Sequence, residues 1–334
     1  MSIIDTLSRA GREVDRVILQ YLKRGASIEF LPVVLHQVEA GGKRVRPALS
    51  ILSCEAAGGD REAALRPAAM IELIHNYSLI ADDIIDRGEV RRGLPTVRAK
   101  YSDAMALLAA MYYREVLDEI ANDCPKPDDV RKLMIETIEA TIEGERLDIL
   151  FEQAGRDENY IVKHRRKSVS WDQYFEMIGK KTATLIRASC LAGCLAANAS
   201  NDVTDALTGY GWKVGLGFQV TDDFLDVFGE RTGKEKGKDI IEHKLGNAVI
   251  LSAVEELGDK KANELLKILR SSRANESKLK QALKLIGRTS ARTRTYRLAQ
   301  KLVNEGKAKL KILPESSAKT ALVHLADFIS TRVY

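Results

Sequence analysis

The sequence predicts an all-α protein, and three observations carry that prediction. Proline is absent between Pro127 and Pro314 although the chain holds seven, and a helix interior tolerates proline least. Apolar residues recur three and four apart in segment after segment, the period of one buried helix face. Val and Ile are scattered through those segments without the strict alternation of half-buried strands, so no sheet is expected.

The helical rhythm sets in at Val17 with VILQYL and continues through FLPVVLHQV, ALSILSC, AAMIELIHNYSLI, DAMALLAAMYY and VRKLMIETIEATI. Breaks rich in Gly, Pro, Asn and Asp fall at 41–47, 56–60, 91–95, 122–129, 154–159, 198–202, 228–239 and 312–317, and they separate helices of ordinary to long size. None is long or biased enough to be an interdomain linker, and no fixed-period repeat or low-complexity tract is present. A single helical domain over 1–334 is the expectation. The stretch Asp259–Lys311, with ARTRTYR, is rich in Lys and Arg. Leu, Ile and Ala keep helical spacing between those charges, so it reads as a solvated amphipathic face and not as a nucleic-acid arm.

With 334 residues, 45% of them hydrophobic and 30% charged, the chain can bury a large core and is not disordered. The longest stretch without a charge, Ala188–Asn201, has 14 residues, against about 20 for a membrane span. MSIIDTLSRA carries Asp5 and lacks an apolar h-region, so neither a secretory signal nor a basic transit peptide is expected, and the expected address is the cytoplasm. Cys54, Cys124, Cys190 and Cys194 show no CxxC spacing, and disulfides are not expected. Cys190 and Cys194 read as packing residues. The net charge of +5 suits polyanions but falls short of a nucleic-acid signature.

The chemistry is concentrated in two acidic clusters. IHNYSLIADDIIDRGEV places Asp82, Asp83 and Asp86 in an apolar helical pattern, and GFQVTDDFLDVFGE repeats the DDxxD spacing with Asp222, Asp223 and Asp226. Residues four apart share a helix face, so Asp82 and Asp86 project together and repel unless a cation intervenes. One DDxxD is usually only a solvated face; two copies in apolar helices argue for oxygen ligands to a hard cation, Mg²⁺ or Mn²⁺, completed by substrate phosphate. Basic residues flank both clusters: Lys43, Arg44 and Arg46; Arg91 and Arg92; and Lys234, Lys236, Lys238 and Lys244. Guanidinium and ammonium groups hold diphosphate oxygens that no metal engages. There is no GxxxxGK[ST], so a P-loop is not indicated. His75 precedes Asp82 by seven residues, nearly two turns, and so shares the face of the aspartates.

GGKRVRP, LIHNYSLIADDIIDRGEVRRG, GKKTATL, GFQVTDDFLD and GKEKGKDI, in that order, resemble the trans-prenyl diphosphate synthases, from about His36 to Phe328. The closest likeness is to archaeal-type geranylgeranyl and farnesyl diphosphate synthases. The resemblance implies an all-α helical bundle of the isoprenoid synthase type with a deep central cavity. There an allylic diphosphate and isopentenyl diphosphate would bind side by side and be joined, with diphosphate released. It implies three Mg²⁺ ions on Asp82, Asp86 and Asp222, with Asp83, Asp223 and Asp226 supporting. Arg91, Lys181, Lys234 and Lys244 would bind the allylic diphosphate. Lys43, Arg46, His75 and Arg92 would hold isopentenyl diphosphate, and Lys181, Thr182 and Gln219 would stabilise the allylic cation. The GERTGKEKGKDI loop and the C-terminal helix are the expected lid. A homodimer with a mid-chain helix at its interface is also implied.

Ser78 and Tyr77 lie four and five residues before Asp82, roughly 6 to 7.5 Å along a helix. Periodicity puts Ser78 nearly beneath Asp82 and Tyr77 to one side. In the family a bulky residue at either place shortens the product, and an aromatic only at the fifth upstream position resembles enzymes making the C20 product, geranylgeranyl diphosphate, ahead of C15 or C25. Two departures are visible: Ala110-Met111 where the family often has Gly-Asp, which bears on helix approach or on the pocket wall beside Met111, Tyr112 and Tyr113, and Glu145 where it often has Gln. A terpene cyclase or head-to-head synthase would not need Lys43 and Arg46, and a non-catalytic regulatory subunit typically loses an aspartate motif. Both motifs are complete here.

Overall fold

The computed structural model describes residues 2–229, 237–271 and 276–330. Among them the fold is all-α apart from one short hairpin. The chain runs α1 (Ile3–Gly25), α2 (Leu31–Glu39), α3 (Val45–Ala56) and α4 (Arg61–Ile85), then β1 (Val90–Arg91) and β2 (Leu94–Pro95). There follow α5 (Val97–Tyr101), α6 (Asp103–Asn122), α7 (Pro127–Phe151), α8 (Asn159–His164) and α9 (Trp171–Ile178). A π-helical turn, Gly179–Ala183, leads into α10 (Thr184–Ala197) and α11 (Asn201–Phe228). The remainder is α12 (Lys238–Ile241), α13 (Ala248–Glu256), α14 (Gly258–Leu269), α15 (Glu276–Ile286), α16 (Ala291–Lys309) and α17 (Ser317–Ser330).

Two local features differ from the sequence reading. α1 starts at Ile3, because Ser2 and Asp5 form a capping box and the buried face begins with Leu7, Ala10, Gly11 and Val14. Small Ala and Gly carry little apolar signal, so the rhythm is audible only from Val17. The break at 91–95 is an antiparallel hairpin pairing Val90 with Pro95 and Arg91 with Leu94. Its two loop residues, Arg92 and Gly93, both have positive φ, 55° and 78°, as a two-residue hairpin turn requires. α16 is amphipathic as read: Ala291, Thr295, Ala299, Leu302 and Val303 are buried, while Arg292, Arg294 and Arg297 face water. All four cysteines are free and buried.

The chain divides into two compact units. The first comprises Met1–Glu139, Leu185–Gly211 and Lys309–Leu325. Its core is built on α3 and α4, where Leu49, Ile51, Met70, Ile71, Leu73 and Ile74 are fully buried. The second comprises Ala140–Thr184, Trp212–Ala308 and Ala326–Tyr334, with Phe151, Tyr174, Met177, Val220, Val227 and Ile250 in its core.

Candidate active site

α4 delivers the first acidic cluster at its C-terminal end, where Asp86 is the C-cap. Asp82 is half-buried and Asp86 exposed, but Asp83 is only 4% exposed. Arg91, presented by β1, grips Asp83: its Nε donates to Oδ1 and Oδ2 at 3.1 and 3.0 Å, and its Nη2 to Oδ1 at 2.8 Å. The guanidinium expected on the diphosphate therefore already holds the middle aspartate.

The GGKRVRP segment divides its charges between two tasks. Arg44, in left-handed backbone conformation (φ 51°), is buried. It donates to Asp15 at 2.7 and 3.1 Å, to Glu72 at 3.1 Å, and to the Gly41 and Val38 carbonyls at 2.6 and 2.9 Å. It is thus a strut between α1, α4 and the end of α2, although in sequence it is indistinguishable from its basic neighbours. Lys43 is exposed and Arg46 half-buried. Arg92 is exposed and donates to the Gly41 carbonyl. Gly42 sits at φ 140°, a backbone conformation that side-chain-bearing residues rarely adopt, and a Cβ there would come within 2.8 Å of Arg44 Nη1 and Arg92 Cζ. His75 belongs to the same basic neighbourhood. Burial, together with the charges of Arg46, Arg92, Arg91 and Arg44, holds its pKa well below the usual histidine value, so the imidazole is neutral. The structure thus brings His75, Arg46 and Arg92 together.

In the second unit, α11 carries the other cluster with the same division of labour. Asp222 and Asp226 are partly exposed, whereas Asp223 is 3% exposed. Asp223 accepts from the Tyr174 hydroxyl at 2.6 Å, the Ala248 amide at 2.8 Å and Gln219 Nε2 at 3.0 Å. Burial and the nearby Asp239 charge push its pKa up to about 8, opposed by those three donors. The other end of Gln219 accepts from Thr182 Oγ1 at 2.7 Å. One chain of bonds therefore fixes Thr182, Gln219 and Asp223. Asp226 accepts from the Asp239 amide at 3.2 Å.

Lys181 stands on the π-turn, and its Nζ lies 2.6 Å from Glu145 Oε2 and 2.6 Å from Asp148 Oδ2. Lys244 reaches Asp148 at 3.3 Å and Glu242 at 3.4 Å. Gly144 permits this approach, since a Cβ there would be 2.2 Å from the Lys181 amide nitrogen. Burial raises the Asp148 pKa, but the charges of Lys181 and Lys244 outweigh it and hold the carboxyl well below its usual range. Asp148 was not singled out from sequence. Its available signal is the three-residue spacing from Glu145, which puts both carboxylates on one face of α7.

Tyr77 and Ser78 are half-buried on α4, and Ser78 donates to the His75 carbonyl at 3.0 Å. Tyr112 and Tyr113, after Ala110, take part in helix packing. Met111 is 58% exposed. Tyr112 donates to the Leu22 carbonyl at 3.1 Å and Tyr113 to that of Val34 at 2.5 Å, tying α6 to α1 and α2. Lys234 and Lys236, most of the expected lid loop and the last residues of LADFISTR lie outside the described residues. Among the described residues no three acidic, histidine or cysteine side chains converge on a metal position by themselves. No described helix is long and apolar enough to cross a membrane.

Comparison with known proteins places this geometry in context. The family model described as polyprenyl synthetase matches residues 29–286. A geranylgeranyl diphosphate synthase of Methanosarcina mazei is 33% identical over 340 residues, covering 100% of this chain and 99% of that protein. The crystal structure of a geranylgeranyl pyrophosphate synthetase from Pyrococcus horikoshii superposes with a TM-score of 0.88 at 30% identity, covering 98% of each chain. A decaprenyl diphosphate synthase from Rhodobacter capsulatus superposes with a TM-score of 0.89 at 26% identity, covering 99% of this chain and 98% of that one.

Proposed function

Since the chain belongs to the polyprenyl synthetase family, we propose that it is a trans-prenyltransferase that condenses isopentenyl diphosphate with an allylic diphosphate, gives geranylgeranyl diphosphate and releases diphosphate. The observation that carries this reading is the repeated arrangement of the two motifs. In each, the middle aspartate is buried and hydrogen-bonded, and the first and last are left more open. In our reading residues 1–334 act as one catalytic domain. A cytoplasmic homodimer is the assembly we propose.

The donors fit a hard divalent cation, since Asp82, Asp86 and Asp222 offer only carboxylate oxygens, and Asp83, Asp223 and Asp226 buttress them. These residues would hold Mg²⁺, three ions in our reading, or Mn²⁺. When bound, the metal supplies electrostatic neutralisation of the departing diphosphate. Arg91, Lys181, Lys234 and Lys244 would hold the allylic diphosphate; Lys43, Arg46, His75 and Arg92 would hold that of isopentenyl diphosphate. A neutral His75 serves there as a hydrogen-bond donor, and an incoming anion offsets the crowding of its arginines.

The allylic C–O bond ionises with its electron pair leaving on the diphosphate. Lys181 and Thr182 hold the resulting cation beside Gln219, whose amide is oriented by Thr182 and Asp223. The π bond of isopentenyl diphosphate attacks the cation and forms the new C–C bond. Loss of a proton to the released diphosphate leaves a trans double bond. Water must be kept out, because it would quench the cation.

Tyr77 is our candidate floor for the growing chain, with Ser78 beside it. The test incubates purified protein with Mg²⁺, labelled isopentenyl diphosphate and farnesyl diphosphate, and measures product length for wild type and Tyr77→Ala. We expect a C20 diphosphate from the wild type and longer products from the variant. Failure to extend any allylic primer overturns the activity; an unchanged product spectrum in the variant removes Tyr77 from the floor.

A further inference from the structure

We propose that Glu145 is a positioning residue that tunes how tightly the allylic diphosphate is held, by competing with it for the Lys181 ammonium. This rests on the reading above, in which Lys181 contacts that diphosphate.

The geometry gives one ammonium two carboxylates, each at 2.6 Å. Asp148 is shared with Lys244 at 3.3 Å, so it already bridges both lysines. Glu145 touches Lys181 on top of that bridge. With Glu242 3.4 Å from Lys244, the cluster sets three carboxylates against two ammonium groups, so Lys181 is already fully matched by negative charge. An ammonium has three N–H donors. With Glu145 and Asp148 both engaged, an incoming diphosphate must displace one carboxylate or share the charge with both. The negative charge of Glu145 also opposes an anion drawn to the same nitrogen.

The side chains of Glu145 and Lys181 are 13% and 25% exposed, so water screens this pair less than a surface one. The backbone holds them together, because Gly144 packs directly on the Lys181 amide nitrogen. Glu143, nearby on the same helix, pairs with Arg146 at 2.6 Å and plays no part in the contest. Glutamine at 145 would preserve shape and hydrogen bonding while removing one negative charge. The ammonium would then be charge-paired with Asp148 alone and give more of its charge to substrate.

The experiment compares wild type, Glu145→Gln and Glu145→Asp. It reads the KM for the allylic diphosphate, the KM for isopentenyl diphosphate, the inhibition constant of inorganic diphosphate and the melting temperature. For Glu145→Gln we expect the allylic KM and the diphosphate inhibition constant to fall together by roughly fivefold, the size of a partly buried ion-pair contribution. The isopentenyl KM should hold, and Glu145→Asp should stay near wild type. Unchanged or raised allylic-side constants overturn the proposal. So does an equal fall in both KM values, or a melting loss shared by both variants, since a structural role would act on all alike. A wild-type enzyme that elongates nothing sinks the underlying activity instead, which separates the two failures.

Discussion

The two aspartate motifs share one spacing, yet their middle carboxylates are satisfied by opposite means. Asp83 is clamped by the Arg91 guanidinium, a cation delivered by a two-strand hairpin. Asp223 is held by a tyrosine hydroxyl, a backbone amide and a glutamine amide, with no cation among those donors. Its pKa is accordingly pushed up to about 8 by burial and the Asp239 charge. The first anchor spends a basic residue that the phosphate chemistry could also use; the second spends only neutral donors. The lesson is that a motif fixes which residues lie open, while the partners that hold its hidden member come from distant parts of the chain.

The comparison breaks most decisively at the open positions. Asp82→Ala and Asp222→Ala should each lower turnover by about 10²–10³-fold with melting temperature preserved, the usual scale for removing one preorganised electrostatic group. A large loss in one and none in the other, read from initial rates at saturating substrate, would show that only one motif is catalytic.

Next come the hidden positions, where stability and not rate is the readout. Asp83→Asn leaves Arg91 facing an amide and should cost about 2 kcal/mol, an intermediate value because the guanidinium is partly solvated. Asp223→Asn keeps an oxygen for its neutral donors and should cost about 1 kcal/mol. Chemical denaturation checks the order, and equal losses would erase the distinction drawn here.

An effect no larger than that at Asp223 concerns Asp148, another buried carboxylate, anchored by two lysines. Its folded pKa is depressed by Lys181 and Lys244 against the cost of burial. The unfolded chain therefore takes up the proton first as pH falls, and the stabilisation is present above the unfolded value and lost toward the folded one. Stability measured from pH 5 downward should drop by about 1 kcal/mol more in wild type than in Asp148→Asn. Parallel curves would mean that the carboxylate is not held ionised.

The all-helical architecture and the positions of both motifs were legible because each has a periodic signature: 3.6 residues for a buried face, four for the open aspartates. What escaped depended on long-range partners or backbone angle. Lys43, Arg44 and Arg46 look alike in sequence, yet it is Arg44 that is buried and donates to Asp15 and Glu72. Tyr174 and Ala248 become anchors of Asp223 only once α9 and α13 pack on α11. The hairpin was missed because Arg92, not a turn former, adopts positive φ. Asp148 sits in no motif, and its role exists only because Lys181 and Lys244 meet there.

The π-turn at Gly179–Ala183 amounts to a spare residue threaded into an otherwise regular spiral. Without it, the azimuth of every later side chain would swing by about 100° relative to those before. Lys181 and Thr182 are adjacent in the chain but serve different partners, Asp148 and Gln219, and a spiral re-phased between the helices on either side cannot keep both appointments. Shortening the chain by a single position here is thus a harsher injury than exchanging any one of the letters it contains.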